Sequence, residues 1–207
     1  MNKSTRNRIA VAIYLMLAVV FFAIRGWFVA VPTLFAAVAT ATNSKAGGIM
    51  IPLALLASAA GDYAGSTGNF IMQVAFFAVA HIFYICDFGP RRAAIRSNLG
   101  YATALAVITI GYLGFVLAHI ESQIEFIAVA IYGLIIYIMG ATAIFQQRRF
   151  YAWYIVAAML FILSDSLIVC GKYLVTVPHG NTWVMLTYYA AQGLFMTLHL
   201  SRRQSEE

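Results

Sequence analysis

The sequence predicts an all-α fold: a polytopic bundle of about eight transmembrane helices, with the N-terminus and C-terminus both cytoplasmic. Three observations predict it. Of 207 residues, 63% are hydrophobic and only 10% charged, and the mean hydropathy is +0.85; a soluble domain is about 25% charged. The apolar residues gather into eight runs. The basic residues fall almost entirely on alternate connections between those runs.

The runs follow in order. Ile9–Ile24 comes after MNKSTRNR, which together look like the n-region and h-region of a signal peptide. The run meets Arg25 and Trp27 with no small-residue cleavage site, so it reads as a retained first span. Trp27–Thr42 and Ile49–Ala60, the latter extending through Asp62, are shorter and closely spaced. They fall below the ~20 residues of a standard span and predict tilted or irregular helices, or a misdivided pair. Asn69–Phe88, Leu99–His119, Glu125–Phe145, Tyr151–Leu174 and Thr182–Leu200 reach spanning length. Gly111, Gly114, Gly133 and Gly140 sit inside the fifth and sixth spans, where small residues let helices approach closely in lipid. No soluble domain or internal repeat interrupts the chain, so residues 1–207 read as one integral membrane domain.

The charge of +6 follows from orientation. With the N-terminus inside, Lys3, Arg6, Arg8, Lys45, Arg91, Arg92, Arg96, Arg148, Arg149, Arg202 and Arg203 are cytoplasmic, and only Arg25 and Lys172 are outside. Eleven against two satisfies the positive-inside rule. Anionic lipid of the inner leaflet is the expected contact of this charge, and nucleic acid is not. Glu121 and Glu125 fall in an outer loop. The expected location is a bacterial inner (plasma) membrane; the sequence sets no oligomeric state.

Ionisable groups inside a span are costly and mark functional sites by default. Asp165, flanked by Ser164 and Ser166, lies within the seventh run, ~21 Å up from its inner end. Asp62 lies ~20 Å up the third, if that helix continues so far. The two carboxyls therefore reach one level and predict a shared wet pocket. The competing expectation for Asp62 is a turn residue, since it follows Gly61 in the turn-like stretch DYAGSTGN. For Asp165 it is a buried polar network that fixes packing.

Tyr188 and Gln192, four apart on the eighth span, reach similar depth, as do Asn69 and Gln73 on the fourth. Lys172 shares the face of Asp165, ~10 Å nearer the outside. Ser58 shares the face of Asp62. His81 and Tyr84 lie deeper and suit either a proton relay or packing. No histidine pair has metal-ligand spacing with a carboxylate, so no metal or other cofactor is expected. Cys86 and Cys170 fall near opposite faces of the bilayer and are expected to remain unbridged.

Three stretches carry a family resemblance. Residues 53–85, LALLASAAGDYAGSTGNFIMQVAFFAVAHIFYI, hold a GD pair, then Phe, then His and Tyr. Residues 130–145, AIYGLIIYIMGATAIF, are a milder apolar match. Residues 157–174, AAMLFILSDSLIVCGKYL, are followed by LTYYAAQGLF at 186–195, giving SDS, a downstream lysine and a YxxxQ element. These resemble the YhhN family, whose eukaryotic members are lysoplasmalogenases of the endoplasmic reticulum membrane. The chain departs from the family where Val31-Pro32 replaces Lys-Pro and near Gln73, where a glycine is common.

The resemblance implies hydrolysis of the vinyl ether of a lysoplasmalogen to a fatty aldehyde and a glycerophospho head group, with Asp62 and Asp165 as the catalytic carboxyls. The chemistry suits them. Protonation of the vinyl β-carbon gives an oxocarbenium ion; water adds, and the hemiacetal collapses. Desolvation and mutual repulsion leave one of two close carboxyls protonated and the other ionised, and glycosidases meet a related cation with paired carboxylates. Asp165, deeper in its span, is the expected acid and Asp62 the base. Asn69, Gln73, Tyr188 and Gln192 are expected to bind substrate or water, and Lys172 the phosphate.

Three rival readings remain. Intramembrane Asp, His and Tyr also build proton-coupled carriers, although no inverted repeat and no broken helix beyond Pro32 and Pro52 is evident. A lipid-binding scaffold needs the aspartates only for packing. A serine hydrolase has Ser58, Ser164 and Ser166 to draw on, but no G-x-S-x-G elbow.

Overall fold

The computed structural model describes residues 2–42, 48–89, 95–146 and 150–202; the side chains of Lys3, Ile95, Arg96 and Ser97 are not described. Among the described residues the elements are α1 (Lys3–Ile24), a 3-10 turn (Gly26–Val29), α2 (Ala30–Ala41), α3 (Met50–Ser66), α4 (Phe70–Phe88), α5 (Ile95–Leu117), α6 (Gln123–Ile144), α7 (Tyr151–Tyr173) and α8 (Gly180–Arg202). They contain no strand. Each expected apolar run holds one α-helix. Of the positive charges that set the expected orientation, Lys45, Arg91, Arg92, Arg148, Arg149 and Arg203 lie outside the described residues.

The polarity of the helices is inverted relative to a soluble protein. Val19 and Ile110 are 70% and 71% exposed, while Asp62, Asp165, His81 and Gln192 are buried. Water does not tolerate so continuous an exposed apolar surface, and lipid does. Among the described residues, five helical stretches are long and apolar enough to cross a bilayer: Ser4–Ile24, Phe70–Phe88, Asn98–Leu117, Gln123–Ile144 and Tyr151–Tyr173. The chain is an integral membrane protein. Helix α3, with 17 residues, is slightly short, and α8 is long enough but too polar along its length to join the five.

The helices gather into two compact units, Met1–Tyr84 with Gln192–Glu207, and Ile85–Ala191.

In the first unit, α1 ends because Arg25 and Gly26 both take left-handed φ of 59°. The closely spaced early runs are thus separate elements, the second opening as a 3-10 turn. Pro32 and Pro52 fall in the first turns of α2 and α3, where no intrahelical N–H is lost. Neither breaks a helix. The stretch DYAGSTGN turns later than expected. Helix α3 runs through Gly61 and Asp62 to Ser66 and stops at Gly68, whose φ is +78°. Gly68 N–H donates to the Gly65 carbonyl and Asn69 N–H to that of Ala64, both at 3.0 Å, which is a Schellman stop. Gly61 and Gly65 serve close packing instead. A Cβ on Gly61 would lie 2.7 Å from the Phe77 ring, and one on Gly65 2.6 Å from the Gln73 amide.

In the second unit, α6 starts with a serine N-cap. The Ser122 hydroxyl accepts from the Glu125 N–H at 3.4 Å, with Glu125 in the first turn, where its charge complements the helix dipole. Gly133 faces the side chain of Leu113, and Gly140 faces Ile162 and Leu105. Gly111 and Gly114 do not pack as expected, since nothing lies within 4 Å of a Cβ at either; they open onto the outer surface of α5. Asn98 Nδ2 donates to the Ile144 carbonyl at 2.9 Å and ties α5 to the end of α6.

Candidate active site

Asp165 stands in the middle of α7 and is 4% exposed. Its Oδ2 accepts a hydrogen bond from the Tyr132 hydroxyl, presented by α6. Helix α5 adds Tyr112, whose hydroxyl donates to the Ser166 carbonyl at 2.6 Å. The three helices enclose a cavity of about 280 Å³. Its polar lining comes from Asp165, Tyr132, Tyr112, Ser166, Thr109 and Tyr137, and the remainder is aliphatic apart from Gly133. Ile108, on its rim, is 67% exposed, so the cavity communicates with the apolar outer surface. A carboxyl is thereby held beside an apolar chamber reachable from lipid.

Beyond the cavity, Lys172 Nζ pairs with Glu125 Oε1 at 3.2 Å. The Tyr173 hydroxyl donates to Glu125 Oε2 at 2.8 Å. Tyr188 is buried, with its ring edge-on to Phe161 at 5.4 Å and tilted against Tyr189 at 5.6 Å. The Ser164 hydroxyl donates to the Val184 carbonyl at 3.1 Å, a local tie between α7 and α8 that involves no base. Cys86 and Cys170 are both free.

In the first unit, Asp62 is a buried helical residue, 5% exposed, and not a turn residue. Tyr14 of α1, itself buried, lies within Coulombic reach of it. Tyr84 and Gln192 come together: the phenol donates to Gln192 Oε1 at 2.6 Å, and its ring stacks on Phe195 at 4.3 Å. Gln192 is fully buried, and its Nε2 has no hydrogen-bond partner among the described residues. His81 Nδ1 lies 2.6 Å from the Phe77 carbonyl one turn back, and its ring sits edge-on to Tyr84 at 6.4 Å. Asn69 is exposed and spends its side-chain oxygen capping α4, accepting from the Met72 N–H at 3.1 Å. Gln73 is half-buried over Gly65.

Sequence reasoning missed Tyr132, Tyr112 and Tyr14, and it left Glu125 in a loop where the structure has a helical turn. Among the described residues, no three His, Cys, Asp or Glu side chains are grouped to hold a metal ion.

The chain was compared with known proteins. Lysoplasmalogenase TMEM86B of Rattus norvegicus is 35% identical over 133 residues, 64% of this chain and 53% of the rat protein. Lysoplasmalogenase TMEM86B of Homo sapiens is 34% identical over 151 residues, 72% of this chain and 62% of its own. Lysoplasmalogenase TMEM86A of Bos taurus is 33% identical over 148 residues, 68% and 58% respectively. The chain thus spans between half and two thirds of the length of these relatives. No solved structure matches it. The model of the YhhN family matches residues 26–198, which include both aspartates and nearly every helix, and the chain belongs to that family.

Proposed function

We propose that the protein is an intramembrane lysoplasmalogenase, hydrolysing the vinyl ether of a lysoplasmalogen to a fatty aldehyde and glycerophosphoethanolamine or glycerophosphocholine. The observation that carries the reading is the Asp165 carboxyl, oriented by a buried phenol at the wall of an apolar cavity, in a chain one third identical to lysoplasmalogenases.

Asp165 is the proton donor. Tyr132 donates to Oδ2, so the transferable proton resides on Oδ1. It passes to the β-carbon of the alkenyl ether, and the π electrons that accept it leave an oxocarbenium ion at the α-carbon. Water adds there and loses a proton; the hemiacetal then expels the glycerol oxygen, giving aldehyde and alcohol. Asp62 is assigned the base that takes the proton from water, on the strength of its burial and of the GD motif. Gln192 Nε2 is a donor for a water or glycerol oxygen, with Tyr84 fixing its amide. Lys172 binds the phosphate. The apolar rim of the cavity suits delivery of the alkenyl chain from the bilayer, with both termini on the cytoplasmic side of a plasma membrane.

The test is release of free fatty aldehyde by purified protein in detergent from choline and ethanolamine lysoplasmalogens. Asp165→Asn and Asp62→Asn are expected to fold and to release none. A monodisperse wild type that releases no aldehyde would overturn the substrate; an active Asp165→Asn would overturn the acid.

A further inference from the structure

The Glu125–Lys172–Tyr173 cluster is only partly accounted for by folding. Glu125 stands in the first turn of α6 and Lys172 in the last turn of α7, so each charge complements its helix dipole. Their side chains are 25% and 35% exposed, and a pair so open to solvent adds little to stability.

Its position relative to the cavity is more telling. Val129 and Val169 line the cavity beside Asp165. Glu125 is one turn before Val129 on α6, and Lys172 is one turn past Val169 on α7. The same two helices therefore lead from the carboxyl to the ion pair. Along α7 the rise from Asp165 to Lys172 is ~10 Å. In an alkenyl lysolipid the carbon to be protonated is separated from phosphorus by roughly seven bonds, about 8 Å at the ~1.2 Å advance per bond of an extended chain. With the vinyl ether at Asp165, the phosphate arrives at the pair.

The pair also has two signs. Lys172 offers an ammonium to the phosphate. Glu125 offers a carboxylate to a cation placed just beyond it, and the Tyr173 ring already faces a cation, with Lys172 Nζ 5.0 Å from its centroid. A headgroup carrying both a phosphate and an ammonium matches these two signs. A terminal phosphate instead brings a second negative charge against Glu125.

We propose that Glu125, Lys172 and Tyr173 form a headgroup site that selects zwitterionic lysolipids, those ending in phosphocholine or phosphoethanolamine, over lysolipids ending in a bare phosphate. The proposal rests on the reading of Asp165 as the reacting end of the substrate site. Lys172 supplies affinity for either phosphate, and Glu125 supplies the discrimination.

The experiment is equilibrium binding of unreactive 1-alkyl analogues to the full chain in detergent, followed by tryptophan fluorescence. The probes are 1-alkyl-glycerophosphocholine, 1-alkyl-glycerol-3-phosphate and 1-alkylglycerol. Wild type is expected to bind the choline probe about tenfold more tightly than the phosphate probe, because the like charge at Glu125 is avoided. Glu125→Gln should bring that ratio to within about threefold of unity, and Lys172→Gln should weaken both phosphorylated probes about tenfold relative to 1-alkylglycerol. The double variant E125K/K172E keeps an ion pair across α6 and α7, and it too should lose the choline preference. A wild type without the preference, or a folded Glu125→Gln or E125K/K172E that retains it, would overturn the site. These probes cannot be cleaved, so the ratio is independent of turnover. Selective binding with no aldehyde release would leave the headgroup site standing and sink the hydrolysis.

Discussion

Tyr132→Phe isolates the contact that orients the proposed acid. The substitution removes one oxygen and keeps the ring, so it opens no cavity large enough to perturb packing. Tyr132 is 6% exposed and Asp165 4%, so bulk water does not replace the lost donor at Oδ2. A buried acceptor stripped of its partner costs about 1–3 kcal/mol, which sets the expected loss of stability in thermal unfolding in detergent. If the phenol holds the carboxyl in line with the alkenyl carbon, a similar energy leaves the transition state, and the single-turnover rate of aldehyde release falls about 5- to 150-fold. Asp165→Asn is the companion measurement. Its amide oxygen still accepts from Tyr132, so stability changes little while the proton donor is gone. In the cycle with Tyr132→Phe, the stability terms couple because the residues touch. A Tyr132→Phe protein within twofold of wild type in rate and unchanged in stability would refute the assignment of Tyr132 as the positioning residue.

Other outcomes follow from packing. Gly61→Ala should destabilise by about 1–3 kcal/mol, because its Cβ would meet a stiff Phe77 ring at 2.7 and 2.8 Å; Gly65→Ala should cost less, since the flexible end of Gln73 can swing aside, and unfolding midpoints measure both. Asn69→Ala should lose about 1 kcal/mol through the missing cap of α4, and KM, measured beside it, should rise only where Asn69 also holds the expected substrate-binding role. Gly133→Leu should lower kcat/KM for aldehyde release at least about tenfold, because a new side chain displaces Leu113 or fills the cavity beside Asp165; Gly111→Ala, which meets open space on α5, is the control expected to match wild type.

Hydropathy made the eight α-helices of the described residues legible, because lipid imposes one rule on every span: backbone polar groups must be satisfied within the helix. The glycines were harder. Gly61, Gly65 and Gly68 lie within one short stretch, and composition alone does not say which of them turns. The distinction is tertiary: Gly61 and Gly65 are small because α4 lies against them, and only Gly68 takes positive φ. Gly111 and Gly114 were misread for the converse reason, since a small residue in a span announces packing only when a neighbour is there. Tyr132 is a different miss, because the signal that finds it was available. It lies seven residues past Glu125, ~10 Å along α6, and with the expected orientation Asp165 lies ~21 Å up a core ~30 Å thick. The depth count that drew attention to the two aspartates reaches this tyrosine as well. What the sequence withholds is rotation about the helix axis, which decides whether a hydroxyl at the right depth points inward.

The choice of tyrosine as the companion of a membrane-buried carboxyl has a chemical logic. Tyr132 hydrogen-bonds Asp165, and the field of Asp62 reaches the buried Tyr14. An arginine or lysine in either place would create a buried ion pair, which must recover a large desolvation cost through near-ideal geometry. It would also hold the carboxyl ionised, which suits a structural bridge and disables an acid. A phenol is mostly apolar surface with a single hydroxyl, so it packs among Leu, Ile and Val while supplying one directed donor. It gives one carboxyl oxygen a directed hydrogen bond without holding the group ionised. For the proposed protonation of carbon, the acid must be oriented and yet not held ionised, and a phenol does both without bringing another charge into the span.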